Sequence, residues 1–298
     1  MKYLDPKADL TFKKVFGEHK DLTISLLNAL LPLEKGKEIE DIEYLPPELV
    51  PETPMRKDTI VDVRCKDVLG RQFLVEMQMI WTREFMQRVL FNASKAYVRQ
   101  LDRSVHYELL QPVYSLNLVN EKYDESNEYY HYYSIVNIEH TDQIIDGLHL
   151  VFVELPKFTP QTFSEKKMQV LWLRYLTEIN EHTREVSSEL TEDPHVKKAL
   201  LALEESAFSP AQLEGYDHFW DMIRTERTYY ASAHRKGLAE GRAEGRAEGR
   251  AEGRAEGKEE GKREALLSVV RNMKKQQIPS ETISQLTGLS EEDIKTLQ

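Results

Sequence analysis

Residues 59–79 read TIVDVRCKDVLGRQFLVEMQM, and this stretch constrains the fold more than any other. Two apolar runs flank Asp67-Val68-Leu69-Gly70, which fits a type I turn closed by a glycine in the left-handed conformation. Side chains alternate faces along a strand. In the first run Ile60, Asp62, Arg64 and Lys66 share one face, and Val61, Val63 and Cys65 the other. In the second, Leu74, Glu76 and Gln78 share a face, and Phe73, Val75, Met77 and Met79 the opposite one. A three-residue loop then sets Asp62 opposite Glu76 and Ile60 opposite Gln78. Directly opposed positions lie about 4.5–5.5 Å apart at Cβ.

Two carboxylates that close repel unless a cation stands between them. One reading is a divalent metal site. Two carboxylates and a nearby amide or carbonyl are all oxygen donors, which suits Mg²⁺. The other reading is a solvated sheet face, with Arg64 and Lys66 beside Asp62. A one-residue slip in register would undo the pairing.

The rest of residues 1–236 alternates helices and strands. Helical spacing of Phe12, Val15, Phe16, Leu22, Leu26, Leu27 and Leu30 predicts a helix over 12–31, stopped by Pro32 and open to a break at Gly17. Further helices are expected at 84–103, 164–186, 195–205 and 211–234. Strands are expected at 39–50, 112–119, 132–138 and 148–155. The order is a mixed α/β pattern with a three-strand meander at its centre.

An acid on one strand, a short hairpin, and an acid-x-polar step on the next resemble the PD-(D/E)xK nuclease signature. DLTFKKVFG near the N-terminus, FLVEMQ on the hairpin, VFVELPKF at 151–158, LWLRYL at 171–176 and the Gly-Ala-Glu/Arg repeat narrow the likeness. In that order, and over almost the whole chain, they resemble the recombination-promoting nucleases, also described as transposases of the PD-(D/E)xK superfamily. The resemblance implies a restriction-endonuclease-like αβββαβ core with extra helices. It also implies a Mg²⁺-dependent DNA endonuclease, with Mn²⁺ as a substitute, and a role in recombination or in mobile-element or defence biology. Carried over by position, Asp62 is the first metal-binding acid and Glu76 the second. Gln78 stands where the signature has lysine, and a glutamine can only hydrogen-bond. The missing base or cation would come from Lys13, Lys14 or Lys95, of which Lys13 is preferred. Asp9, just before the first helix, is either a further metal-binding acid or a helix cap. The competing reading is a non-catalytic interaction protein built on a decayed nuclease fold.

On the helix after the hairpin, Arg88, Asn92, Lys95 and Arg99 fall in a narrow arc, with Arg103 at its edge. Val89, Leu90, Ala93, Ala96, Tyr97 and Leu101 lie opposite. The basic row (Arg88, Lys95, Arg99) either tracks a DNA phosphate backbone or is a solvated face. The whole chain carries a net charge of −11, of which −10 falls on residues 1–236, so any DNA contact must be a local basic groove. The single cysteine, Cys65, excludes an intramolecular disulfide and a multi-cysteine metal cluster. The chain shows no signal core and no long apolar run, so a cytoplasmic protein without a membrane span is expected.

Residues 237–263 repeat Gly-Arg-Ala-Glu with period four and balance seven basic against seven acidic residues. Like charges stack at i, i+4 in a helix of this repeat, and each glycine costs about 1 kcal/mol relative to alanine. A lone helix should therefore be weak or absent. Either the segment is a linker throughout, or it becomes helical on self-association, giving a homo-oligomer through residues 237–298. Residues 264–298 read as a small all-α tail, with a turn at Gly288 and a capping box at Ser290–Asp293. Its final helix opens with three acids, which favours protein contact over DNA reading.

Overall fold

The computed structural model describes residues 2–49, 60–101, 106–160 and 167–297. Arg103 and residues 164–166 of the expected helices lie outside them. The hairpin forms β2 (Val63–Asp67) and β3 (Gln72–Gln78), with Val63 opposite Val75 and Cys65 opposite Phe73. Its turn is pinned locally. Gly70 takes a φ of +84°, and its N–H donates to the Asp67 carbonyl at 3.1 Å. Asp67 Oδ1 accepts from the N–H groups of Leu69 and Arg71, and Oδ2 accepts from Arg71 Nε at 2.7 Å. This register is the one the turn chemistry predicts.

Ahead of the hairpin stand α1 (Asp9–Phe12), a π-helical turn (Lys13–Gly17), α2 (Lys20–Leu30) and β1 (Ile42–Tyr44). After it come α3 (Arg83–Val98) and β4 (Val113–Val119). The sequence from α2 to β4 is thus helix, three strands, helix, strand. Two further strands follow, β5 (Tyr130–Val136) and β6 (Ile144–Glu154). The six strands make one mixed sheet in the order β1-β2-β3-β4-β6-β5. β3–β4 and β4–β6 are parallel, and the other neighbours antiparallel. The meander occupies one edge of the sheet, and the parallel strands its middle. That is why β3 and β4 read as nearly continuous apolar runs: both faces are covered.

One face carries α2 and α4 (Lys167–Glu178), where Phe12, Phe16, Leu26, Trp172 and Tyr175 meet Val63, Phe73, Val75 and Leu118. The other face carries α3, through Ala93 and Ala96 against Leu74 and Val113, and Phe85 and Val89 against Val119 and Phe152. α4 stops at Glu178 rather than near 186. There Asn180 and Thr183 bond to local backbone, an alternative that competes with the helix ladder. α5 (Ser188–Glu192) and α6 (Pro194–Ala202) follow, α6 capped by Asp193 and started by Pro194.

The chain divides into two compact units, Met1–Arg227 and Thr228–Gln298. One helix, α7 (Pro210–Lys275), belongs to both and runs unbroken through the Gly-Arg-Ala-Glu repeat. This differs from the weak or absent helix expected of the repeat alone. Nucleation is the unfavourable step of helix formation, and the repeat is entered from an already formed helix whose Phe219, Trp220 and Ile223 are packed. Propagation through the repeat needs no new nucleus. In the second unit α8 (Ser280–Thr287) and α9 (Glu291–Thr296) fold back on the end of α7, burying Val270, Ile283 and Ile294 together. Gly288 takes a φ of +73°, and Ser290 caps Asp293 N–H, as the tail predicts. Among the described residues no helix is long and apolar enough to cross a membrane.

Candidate active site

The acids of the hairpin meet at the C-terminal end of β3. The β2–β3 ladder ends at Val63–Val75, and Asp62 stands one residue beyond it. There its Oδ2 accepts the Met77 N–H at 2.6 Å, a bond a partner strand would otherwise supply. The chain before Asp62 turns away from β3. Ile60 bridges to Glu48 and Val61 N–H donates to the Pro47 carbonyl, so the expected Ile60–Gln78 pair does not form.

Glu76 is 5% exposed, beneath α3. Its Oε1 accepts from Asn92 Nδ2 at 3.0 Å and its Oε2 from Arg88 Nη2 at 3.3 Å. The same Nη2 donates to Gln78 Oε1 at 2.6 Å, and Gln78 Nε2 donates to the Ile80 carbonyl. Arg88 therefore bridges the second acid and the glutamine that follows it.

Burial pushes the Asp62 carboxyl up to about 6. The Met77 N–H and Lys13 pull it down, while Glu76 and Asp9 push it further up. Glu76 is also raised, by burial, against the opposing pull of Arg88 and Asn92. Asp9 and Lys13 form an ion pair at 2.7 Å one helical turn apart. Glu76, Asp9 and Lys13 thus each act electrostatically on Asp62. Lys14 is engaged elsewhere: its Nζ donates to the Ala207 carbonyl and lies over the Phe208 ring. Lys95 lies beside Phe91.

The residues suit a divalent cation. The donors are all carboxylate oxygens, as Mg²⁺ and Mn²⁺ prefer. Both acids are raised by burial despite Arg88 beside Glu76 and Lys13 acting on Asp62, and a divalent ion would favour their ionised forms. Asn92 Oδ1, on the side chain that holds Glu76, is buried with no hydrogen-bond partner among the described residues.

The face of α3 differs from the wheel. Asn92 is fully buried, and Leu90 is 48% exposed. The helix is rolled so that Asn92 faces Glu76, and Arg88, Lys95 and Arg99 border the buried arc rather than opposing it. Arg99 lies near enough to Arg64 on β2 to lower the latter's pKa, after burial, the larger cause. Arg64 itself donates to Gln72 Oε1 at 3.0 Å.

A second polar cluster escaped the sequence reading. Asp124, His131 and Glu154 offer ligand atoms within 4.8 Å of one another. Glu154 is in register with Val119 and Gln78 across the parallel strands, so it lies on the same sheet face and at the same end as Glu76. Glu154 Oε1 meets His131 Nε2 at 2.8 Å and Lys157 Nζ at 2.7 Å, and Oε2 accepts the Tyr123 N–H. Lys157 Nζ is also 3.7 Å from Asp124 Oδ1. A metal here would compete with an ammonium already in place. The visible signal was the ELPK at the end of an apolar strand, an acid with a cation three residues on.

Asn92 and the Arg88–Gln78 contact were also missed as a unit. Both helix residues were legible only as members of a basic row. Residues 6–229 match the family described as PD-(D/E)XK nuclease family transposase. No curated protein and no solved structure matches the chain. With a match across three quarters of its length, onto the elements that assemble Asp62 and Glu76, the chain belongs to the PD-(D/E)XK nuclease family of transposases.

Proposed function

We propose that this protein is a metal-dependent DNA endonuclease that hydrolyses phosphodiester bonds. The observation that carries the reading is the junction at the end of β3. Asp62 is tied to Met77 and Glu76 is tied to α3, so a half-buried acid and a buried one are held near each other by different elements. Asp62 and Glu76 would hold Mg²⁺ or Mn²⁺, with Asp9 as a further donor. When bound, the ion supplies Lewis-acid charge to the phosphate and a more acidic water.

The chain's own groups have separate tasks. Asn92 and Arg88 orient Glu76. The Met77 N–H orients Asp62. Lys13, held by Asp9, offers a cation on the Asp62 side. Arg99 and Lys95, continuing along α3 from Arg88, would meet the DNA backbone, which positions the duplex without reading bases. Family membership points to DNA as the partner. Self-association through residues 237–298 is part of the proposal. It is supported by the open space around each glycine of the repeat, where a second helix can approach closely.

Gln78 in the lysine slot favours the competing reading, a nuclease fold without catalysis. Cleavage of supercoiled and linear DNA by wild type and Asp62→Ala, with Mg²⁺, Mn²⁺ or EDTA, separates the two. Metal-dependent cutting lost in the variant supports the endonuclease. A folded wild type that leaves DNA uncut with either metal refutes it.

A further inference from the structure

Hydrolysis of a phosphodiester places developing negative charge on the phosphate oxygens. The two acids at this site repel that charge, and position 78 supplies an amide where a cation is expected. Arg88 stands beside both. Its Nη2 lies 2.6 Å from Gln78 Oε1 and 3.3 Å from Glu76 Oε2. Its guanidinium carbon sits 4.8 Å from the centre of the Phe85 ring, one turn back on α3. Three contacts from two elements therefore fix the group. The two N–H bonds of Nη2 satisfy Gln78 and Glu76, which leaves those of Nη1 and Nε for another acceptor. The side chain is 45% exposed, so those donors are open to an approaching phosphate.

We infer that Arg88 is a catalytic residue that contacts a non-bridging phosphate oxygen, and that Gln78 is the residue that positions it. This rests on the endonuclease reading and assigns its charge-stabilising group. An arginine does this well, because with Nη2 engaged its Nη1 can still donate to a phosphate oxygen, and the group keeps its charge at any working pH. The overall step is unchanged. Water oxygen forms the new P–O bond, and the leaving oxygen departs with its electron pair and takes up a proton. Arg88 stays protonated throughout. The signature's cation is thereby moved from the strand to the neighbouring helix.

The test uses full-length wild type, Arg88→Ala, Arg88→Lys, and Arg88→Ala combined with Gln78→Lys. Single-turnover cleavage of plasmid is measured with Mg²⁺. Affinity for a short fluorescent duplex is measured in EDTA, and folding is checked by thermal melting. Arg88→Ala is expected to slow cleavage by about 10²- to 10³-fold while affinity changes less than about threefold. Gln78→Lys in that background should recover at least about tenfold of the rate, and Arg88→Lys should fall between. Three results overturn the inference while leaving the nuclease reading intact: a wild-type rate in Arg88→Ala, a loss confined to affinity, or no recovery from a lysine at 78. A folded wild type that leaves DNA uncut with every metal tried overturns both.

Discussion

Around Glu76, each carboxylate oxygen has a named partner from another element, Asn92 on one and Arg88 on the other. Along residues 237–263 the opposite holds. A Cβ added at any glycine from Gly237 to Gly261 would meet nothing within 4 Å, and every residue is exposed. The first region is over-determined by tertiary contacts and stores unfavourable charge. The second is determined by its neighbours along one helix, and its stacked like charges all lie in solvent. The difference teaches where substitution should trade stability against function, and where it should not.

The largest expected effect sharpens that contrast. Glu76→Gln should lower cleavage by more than about 10²-fold, yet raise the melting temperature at neutral pH, because burial disfavours the ionised acid more than Arg88 and Asn92 favour it. Activity and stability moving together in the same direction would break the comparison. Single-turnover kinetics and calorimetry on one preparation decide it.

Lys157→Ala should cost about 3–5 kcal/mol in denaturant unfolding, since it strands Glu154, which is 0% exposed. If added Zn²⁺ or Mn²⁺ restores that stability in the variant, the Asp124–His131–Glu154 group takes a metal once its ammonium is gone. No effect of the substitution would mean that His131 alone suffices as partner.

Asp62→Asn gives a pH test. The folded-state carboxyl sits at about 6, above the ordinary carboxylate value, so folding takes up a proton between about pH 4 and 6. Wild-type stability should therefore fall across that window as pH rises, by up to about 3 kcal/mol. The asparagine variant should lose the Asp62 share of this fall and keep that of Glu76, whose carboxyl is also raised by burial. Urea midpoints at a series of pH values measure it, and a rise with pH would contradict the burial argument.

The smallest effect lies in the repeat. Gly245→Ala and Gly249→Ala should each favour the helix by about 1 kcal/mol, raising helicity by circular dichroism and leaving cleavage unchanged. If the alanines instead weaken self-association of the full chain, the glycine row is a contact between copies. The two regions would then be more alike than their single-chain surroundings suggest.

Local chemistry made much of this protein readable. Asp67 and Gly70 set the hairpin and its register, because turn geometry and strand alternation depend on neighbours in sequence. Gly17 and Pro32 punctuate the first helices as expected, and Ser290 caps the last. The same local rules bring Asp62 near Glu76, although the ladder ends at Val63–Val75 and Asp62 bonds the Met77 N–H instead of pairing across. Other features depend on residues far apart in the chain. Ile60 leaves β3 for Glu48. Asn92 turns inward because Glu76 waits beneath it, which a helical wheel scores only as polar. Arg88 finds Gln78 for the same reason. Glu154 gathers Asp124, His131 and Lys157 from both strands at one end of the β5–β6 pair. Hydrophobic periodicity specifies which face of an element is apolar, and so determined the elements and their order. Only packing α3 onto the sheet decided which polar side chains are buried together, because a buried charge must find its partner in space rather than in sequence.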